Sequence, residues 1–189
     1  MSKTIILFLV VFPLASVNCY LFRTPNEFQE DKNKIEWCVD YKLEWDDFKG
    51  VPDTINTNLV VAITASKIKI TNNKLENGLP KIEVRSFFIK ERSWTIVNDE
   101  YTLLHEQLHF DICEVFTRKI RKSFDSLNVN GIKDIKVYQE MYNKLVDKSN
   151  DYDKLYDSEV YFNEEKQKQW SLKITKELEE LKAYEIECN

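Results

Sequence analysis

The chain has 189 residues, within the range of one domain, and 27 basic against 32 acidic side chains give a formal charge of −5. That balance argues against the basic face that nucleic-acid binding needs, while 43% hydrophobic and 31% charged residues describe a folded protein rather than a disordered or membrane-embedded one. Three glycines, Gly50, Gly78 and Gly131, cannot spell a phosphate-cradling loop, and two histidines, His105 and His109, exclude a three-histidine metal site within one chain.

At the N-terminus Lys3 precedes an apolar run from Ile5 to Phe12, followed by Pro13 and the small pair Ala15-Ser16. A basic start, a short apolar stretch and small residues near the exit predict a secretory signal peptide. The run is shorter than the about 20 residues that span a bilayer. Residues 1–19 are therefore read as signal peptide, 20–36 as a lead-in and 37–187 as the functional domain, secreted or periplasmic, with no transmembrane span once the signal is removed. Ser16-Val17-Asn18 is a poor lipobox, so lipid anchoring at Cys19 is the lesser alternative. Of the remaining cysteines no two form a C-x-x-C pair, which excludes a zinc ribbon or a thioredoxin-like site. In an oxidising compartment Cys38 and Cys188 can pair, although the sequence leaves the pairing of Cys38, Cys113 and Cys188 open. Lysine far outnumbers arginine and asparagine is plentiful, a bias of AT-rich bacterial genomes.

Residues 37–97 read as strands. Val60 to Ala65 is a β-branched run, and Lys67-Ile68-Lys69-Ile70-Thr71 alternates polar and apolar. Asn72 to Pro80 is dense in turn signals. Ile82–Phe88 and Ser93–Val97 read as two further strands. From Asn98 onward the period changes: there is no proline after Pro80 and a single glycine, Gly131. Asn98 or Asp99 is an N-cap for a helix running to about Ser126. A second helix is expected from near Lys133 to about Lys148, with a continuation past Asp153 left open, and a third from Asn163 to about Ile186. The expected class is α+β: a small antiparallel sheet in the N-terminal half followed by three helices, in one domain.

His105-Glu106-Gln107-Leu108-His109 matches H-E-x-x-H inside the first of these helices. Residues i and i+4 project from one helix face. Two imidazoles so placed can bind one zinc ion at about 2.0–2.1 Å each. Glu106 beside them can take a proton from a water whose pKa the metal lowers to about 7. Cys113 shares the stripe but lies two turns from His105, about 12 Å along the axis, too far for one tetrahedral ion; it reads as a small packing residue. Asp111 and Glu114 read as structural residues on the far side. The longer H-E-x-x-H-x-x-G-x-x-H pattern is absent, because Ile112 and Val115 stand at its glycine and last histidine. The third ligand must then be a carboxylate, or conceivably a tyrosine, and the best cluster is Tyr156-Asp157-Ser158-Glu159. Asp157 and Glu159 both stand as candidates. Tyr156 is either a hydrogen-bond donor to an oxyanion or an aromatic packed under the site.

Four stretches resemble a bacterial secreted family known as domain of unknown function 922, predicted zinc-dependent proteases. They are Leu43-x-Trp45-x-Asp47-Phe48-Lys49-Gly50-x-Pro52; Ala62-x-Thr64-Ala65-Ser66-x-Ile68 leading to Phe87 or Phe88 and Ser93-Trp94; Leu103-Leu104-His105-Glu106-Gln107-x-His109-Phe110-Asp111-Ile112 with Glu114 and Arg118 to Arg121; and Tyr156-Asp157-x-Glu159 followed by Gln167 or Gln169 and Trp170. The family's last motif continues Thr-x-His, where this chain has Val160 and Phe162. If that histidine is the usual third ligand, this chain has lost it. The resemblance implies a zincin-like fold and a zinc-dependent peptidase, with His105 and His109 on Zn2+, Asp157 or Glu159 completing the site, Glu106 as general base and a peptide or protein as substrate, acting as a monomer. The alternative it leaves is a catalytically inactive member of the same fold, an envelope or secreted binding module.

Overall fold

The computed structural model describes residues 32–52, 60–161 and 163–188. The signal peptide, Cys19, most of the lead-in and Phe162 lie outside the described residues.

The expected class is what the chain adopts: an antiparallel sheet built before residue 100, then three helices. Strands β1 (Lys34–Glu36), β4 (Leu79–Ile89) and β3 (Ser66–Glu76) form one sheet in the order β1-β4-β3, and β2 (Ala62–Ile63) pairs with β5 (Trp94–Thr95) in a second. β1 comes from the stretch read as lead-in and pairs Lys34–Glu36 with Ile89–Phe87. The turn signals of Asn72–Pro80 compress into two residues. Asn77 and Gly78 take the positive φ of 52° and 77° that a two-residue hairpin with right-handed strand twist demands. Asn72 to Glu76 continue β3 instead, as an exposed ribbon whose register shifts at a bulge between Ile70 and Asn72.

The β-branched run at residues 60–65 is a strand only at Ala62–Ile63, because the chain changes partners there. Val61 accepts from Ile96 N on the β5 side, whereas the Ala65 carbonyl accepts from Ile89 N of β4. β5 stops at Thr95, whose hydroxyl donates to the Val97 carbonyl and accepts from Val97 N, closing a local turn in place of the longer strand expected.

Helix α1 (Glu100–Val129) starts on Asp99, whose carboxylate accepts from Thr102 N at 2.8 Å. Helix α2 (Ile135–Val160) is capped by Asp134 and runs unbroken past Asp153. Helix α3 (Glu164–Glu180) is capped by Asn163 and ends about a turn and a half before the expected Ile186. α1 is the centre of the molecule. From Glu106 to Arg118 every residue is buried, with β4 and β3 on one side and α2 and α3 on the other.

A helix buried all round must satisfy its polar side chains internally. Asp111 accepts from Trp37 Nε1 at 2.7 Å and from Gln107 Nε2 at 2.8 Å. Glu114 accepts from Ser86 Oγ, Arg118 Nε and Arg121. Arg118 reaches the Leu178 carbonyl and Glu185, fastening the C-terminal end to α1. Cys38 and Cys188 form a disulfide, and Cys113 is free and buried. No helix among the described residues is long and apolar enough to cross a membrane.

Candidate metal centre

The site forms where α1 and α2 run antiparallel. α1 contributes His105 and His109; α2 contributes Asp153 and Asp157, also four residues apart. One turn along α1 matches one turn back along α2, so His109 meets Asp153 while both histidines meet Asp157.

The two Nε2 atoms lie 3.1 Å apart. Asp157 Oδ1 stands 3.2 Å from His105 Nε2 and 3.0 Å from His109 Nε2. Three ligand atoms at the corners of so small a triangle are close enough to hold one metal ion. Ligands at about 2.0–2.1 Å around a tetrahedral zinc sit about 3.3–3.4 Å apart, so the donor set fits that ion with a slight opening of the triangle. Asp157 is 55% exposed, which leaves the centre open towards solvent on that side.

Each imidazole is aimed from behind. His109 Nδ1 lies 2.6 Å from Asp153 Oδ1. His105 Nδ1 lies 2.9 Å from the Tyr156 hydroxyl, which is directed at the His105 carbonyl at 3.4 Å. With the hydroxyl proton given to the carbonyl, its oxygen can accept from His105 Nδ1–H. In that tautomer, the one a bound metal ion requires, both rings carry their proton on Nδ1 and direct the Nε2 lone pair to the same point. Tyr156 is fully buried and stacks on the His105 ring at 4.8 Å. The hydroxyl expected as an oxyanion donor is thus engaged with His105.

Of the two carboxylates left open by the sequence, only Asp157 reaches the histidines. Two residues on a helix are about 200° apart, so α2 cannot present both to α1. Glu159 turns the other way and accepts from Trp170 Nε1 at 3.0 Å. Helix phase, once α2 is known to run through this segment, separates the pair. Asp153 and Thr64 were not identified from sequence. The i, i+4 spacing of Asp153 and Asp157, matching that of the histidines, is the signal that points to the first.

Glu106 is 3% exposed, and its Oε2 has no hydrogen-bond partner among the described residues. Its backbone carbonyl accepts from the Thr64 hydroxyl at 3.2 Å, which ties the end of β2 to α1. Burial raises the carboxyl pKa and the neighbouring His109 and His105 pull it down; burial wins. The site therefore holds a desolvated carboxylate with an unused acceptor beside two imidazoles. Without an ion, burial disfavours the charged form of His109, but the hydrogen bonds of Asp153 and Asp157 outweigh it and push its pKa up to about 10. The Cys113 thiol, pushed up to about 12 by burial, stays protonated and outside the ligand set.

No protein-family model, curated protein or solved structure matches this chain. The resemblance drawn above rests on the sequence stretches themselves.

Proposed function

We propose that this protein is a secreted or periplasmic zinc-dependent peptidase, acting as a monomer, in which His105, His109 and Asp157 hold the ion and Glu106 is the general base. The observation that carries the reading is the convergence of three ligand atoms within 3.2 Å beside a buried carboxylate whose Oε2 is unpartnered. A bound zinc ion supplies Lewis acidity, polarising a carbonyl and bringing the pKa of water to about 7.

The chain's own groups supply the rest. Asp153 and Tyr156 fix the ring tautomers, so that both Nε2 atoms are free. Glu106 takes a proton from the attacking water at Oε2 and returns it to the leaving amine, and burial, by raising its pKa, makes it a stronger base for the first transfer. The signal-like N-terminal segment and the Cys38–Cys188 disulfide support an oxidising, extracytoplasmic location. The same motifs support membership of the family of domain of unknown function 922 and a zincin-like arrangement.

Zinc content and peptide hydrolysis test this together. The purified chain is expected to carry one equivalent of zinc. Glu106→Gln should retain the metal and lose hydrolysis, and His105→Ala should lose both. Wild-type protein that takes up no zinc, or loaded protein with no hydrolysis of any denatured protein substrate, would overturn the reading.

A further inference from the structure

A cavity of about 280 Å³ opens beside His109, between the start of β3, α1 and α2. It shares His109 and Asp153 with the metal centre, so a chain lying across the site has one neighbouring residue at its mouth. Part of its wall is aliphatic, from Ile89, Ile112 and Val146. The polar part is rich in donors. Lys67 and Arg92 are exposed, and neither side chain has a hydrogen bond or ion pair to any other described residue; the side-chain amide of Asn150 is unengaged in the same sense. The single carboxylate in the lining, Asp153, is bound to His109. In a chain of net charge −5 a cavity with two unpaired cations against one carboxylate, itself hydrogen-bonded to His109, is not the surface average.

We propose, building on the peptidase reading, that this cavity receives a carboxylate carried by the substrate next to the scissile bond, with Arg92 and Lys67 as the specificity-determining residues. An aliphatic wall below a cationic rim suits a short methylene stem ending in a carboxylate. Two sources offer that chemistry: an aspartate or glutamate side chain, and the free carboxylate of a peptide C-terminus. The first makes the protein an endopeptidase selective for acidic residues. The second makes it trim chain ends.

Binding to zinc-loaded Glu106→Gln protein tests this without turnover. The probes are fluorescein-labelled alanine peptides: one with both ends blocked, one blocked with a central glutamate, and one with a free C-terminal carboxylate. Fluorescence anisotropy is expected to show about tenfold tighter binding of at least one acid peptide than of the blocked neutral peptide, the value of one charge-assisted hydrogen bond. Which acid peptide gains names the source. Arg92→Glu and Lys67→Glu should erase the preference, whereas Lys69→Glu, on the same strand outside the cavity, should leave it. Equal binding of all probes, no binding of any, or a preference that survives both reversals overturns the proposal. Hydrolysis by wild type without any preference removes the proposal and leaves the peptidase reading standing. A preference without hydrolysis does the reverse.

Discussion

Replacing Asp153 by alanine separates a metal ligand from the group that aims it. Asp153 Oδ1 is 2.6 Å from His109 Nδ1, a charge-assisted hydrogen bond, for which about 1.5–3 kcal/mol is typical. The Asp153 side chain is 41% exposed, and solvent screening argues for the low end. About 1.5 kcal/mol corresponds to about tenfold weaker zinc binding, within the about 10–100-fold span of groups that orient a metal-bound histidine. Asp157→Ala removes one of the three candidate ligand atoms found among the described residues and should cost far more, leaving no stoichiometric zinc. Glu159→Ala should leave affinity unchanged, since that carboxylate is bonded to Trp170. Competition against a chromophoric chelator at fixed pH measures all three. The reasoning fails if Asp157→Ala binds zinc like wild type, or if Glu159→Ala rather than Asp153→Ala weakens it.

Three further changes probe the scaffold. Asp47 is buried and accepts from Tyr41 Oη and Glu44 N while pairing with Lys90; burial opposes its charge, but these partners prevail and hold its pKa below the usual value. A depressed folded pKa contributes stability above the unfolded value of about 3.9 and loses it as pH falls, so denaturation of Asp47→Asn should approach wild type in acid and fall below it at neutral pH. Opening the Cys38–Cys188 disulfide, which spans 150 residues of sequence, should cost about 2–5 kcal/mol in a denaturant titration of the Cys188→Ser variant, and an unchanged midpoint would contradict that. A Cβ added at Gly50 would sit 2.9 Å from the Ser93 carbonyl oxygen, which also accepts from Gly50 N at 2.7 Å; Gly50→Ala should therefore destabilise by about 1–3 kcal/mol by the same measurement.

The helical half of the fold was readable because its signals are local. A cap at Asn98 or Asp99, the shift from period 2 to period 3.6 and the absence of proline after Pro80 pointed to α1 to within a turn of its ends. The sheet was less legible because its strand ends depend on partners. Asn72 to Glu76 carry turn residues yet stay extended, since opposite residues 79–83 hold them in register. Thr64 and Ala65 have strand composition yet leave the ladder where the pairing switches from β5 to β4. His105, Glu106 and His109 were visible as a motif on one helix face. Asp153 was not, because its role depends on α2 lying antiparallel to α1, a long-range fact with no local trace beyond the matched spacing. Asp157 was one of two candidates until α2 was continuous through that segment. Whatever stands at position 162, a third candidate ligand is at hand, since Asp157 lies within α2, one turn after Asp153.

Glu106 distinguishes a working site from an inherited scaffold in a way that needs no substrate. A buried carboxylate with an unpaired oxygen is a folding liability. Because its folded pKa is raised by burial, the folded chain binds the proton more tightly than the unfolded one. Stability then falls as pH rises above the unfolded value of about 4.3 and the charge is forced on. Glu106→Met fills a similar volume without a polar atom. In chelator-treated protein it should be more stable than wild type by about 1–3 kcal/mol at pH near 8, the usual cost of one unsatisfied buried group. The gap should shrink as pH falls towards the unfolded value, because the folded carboxyl takes up its proton before the unfolded one does. Such a gain on removing the proposed general base is the trade-off expected where a site is held in a state that suits chemistry rather than packing. A wild type as stable as Glu106→Met at both pH values would mean that the carboxylate is satisfied in solution, and the argument for its role as a poised base would lose its physical ground.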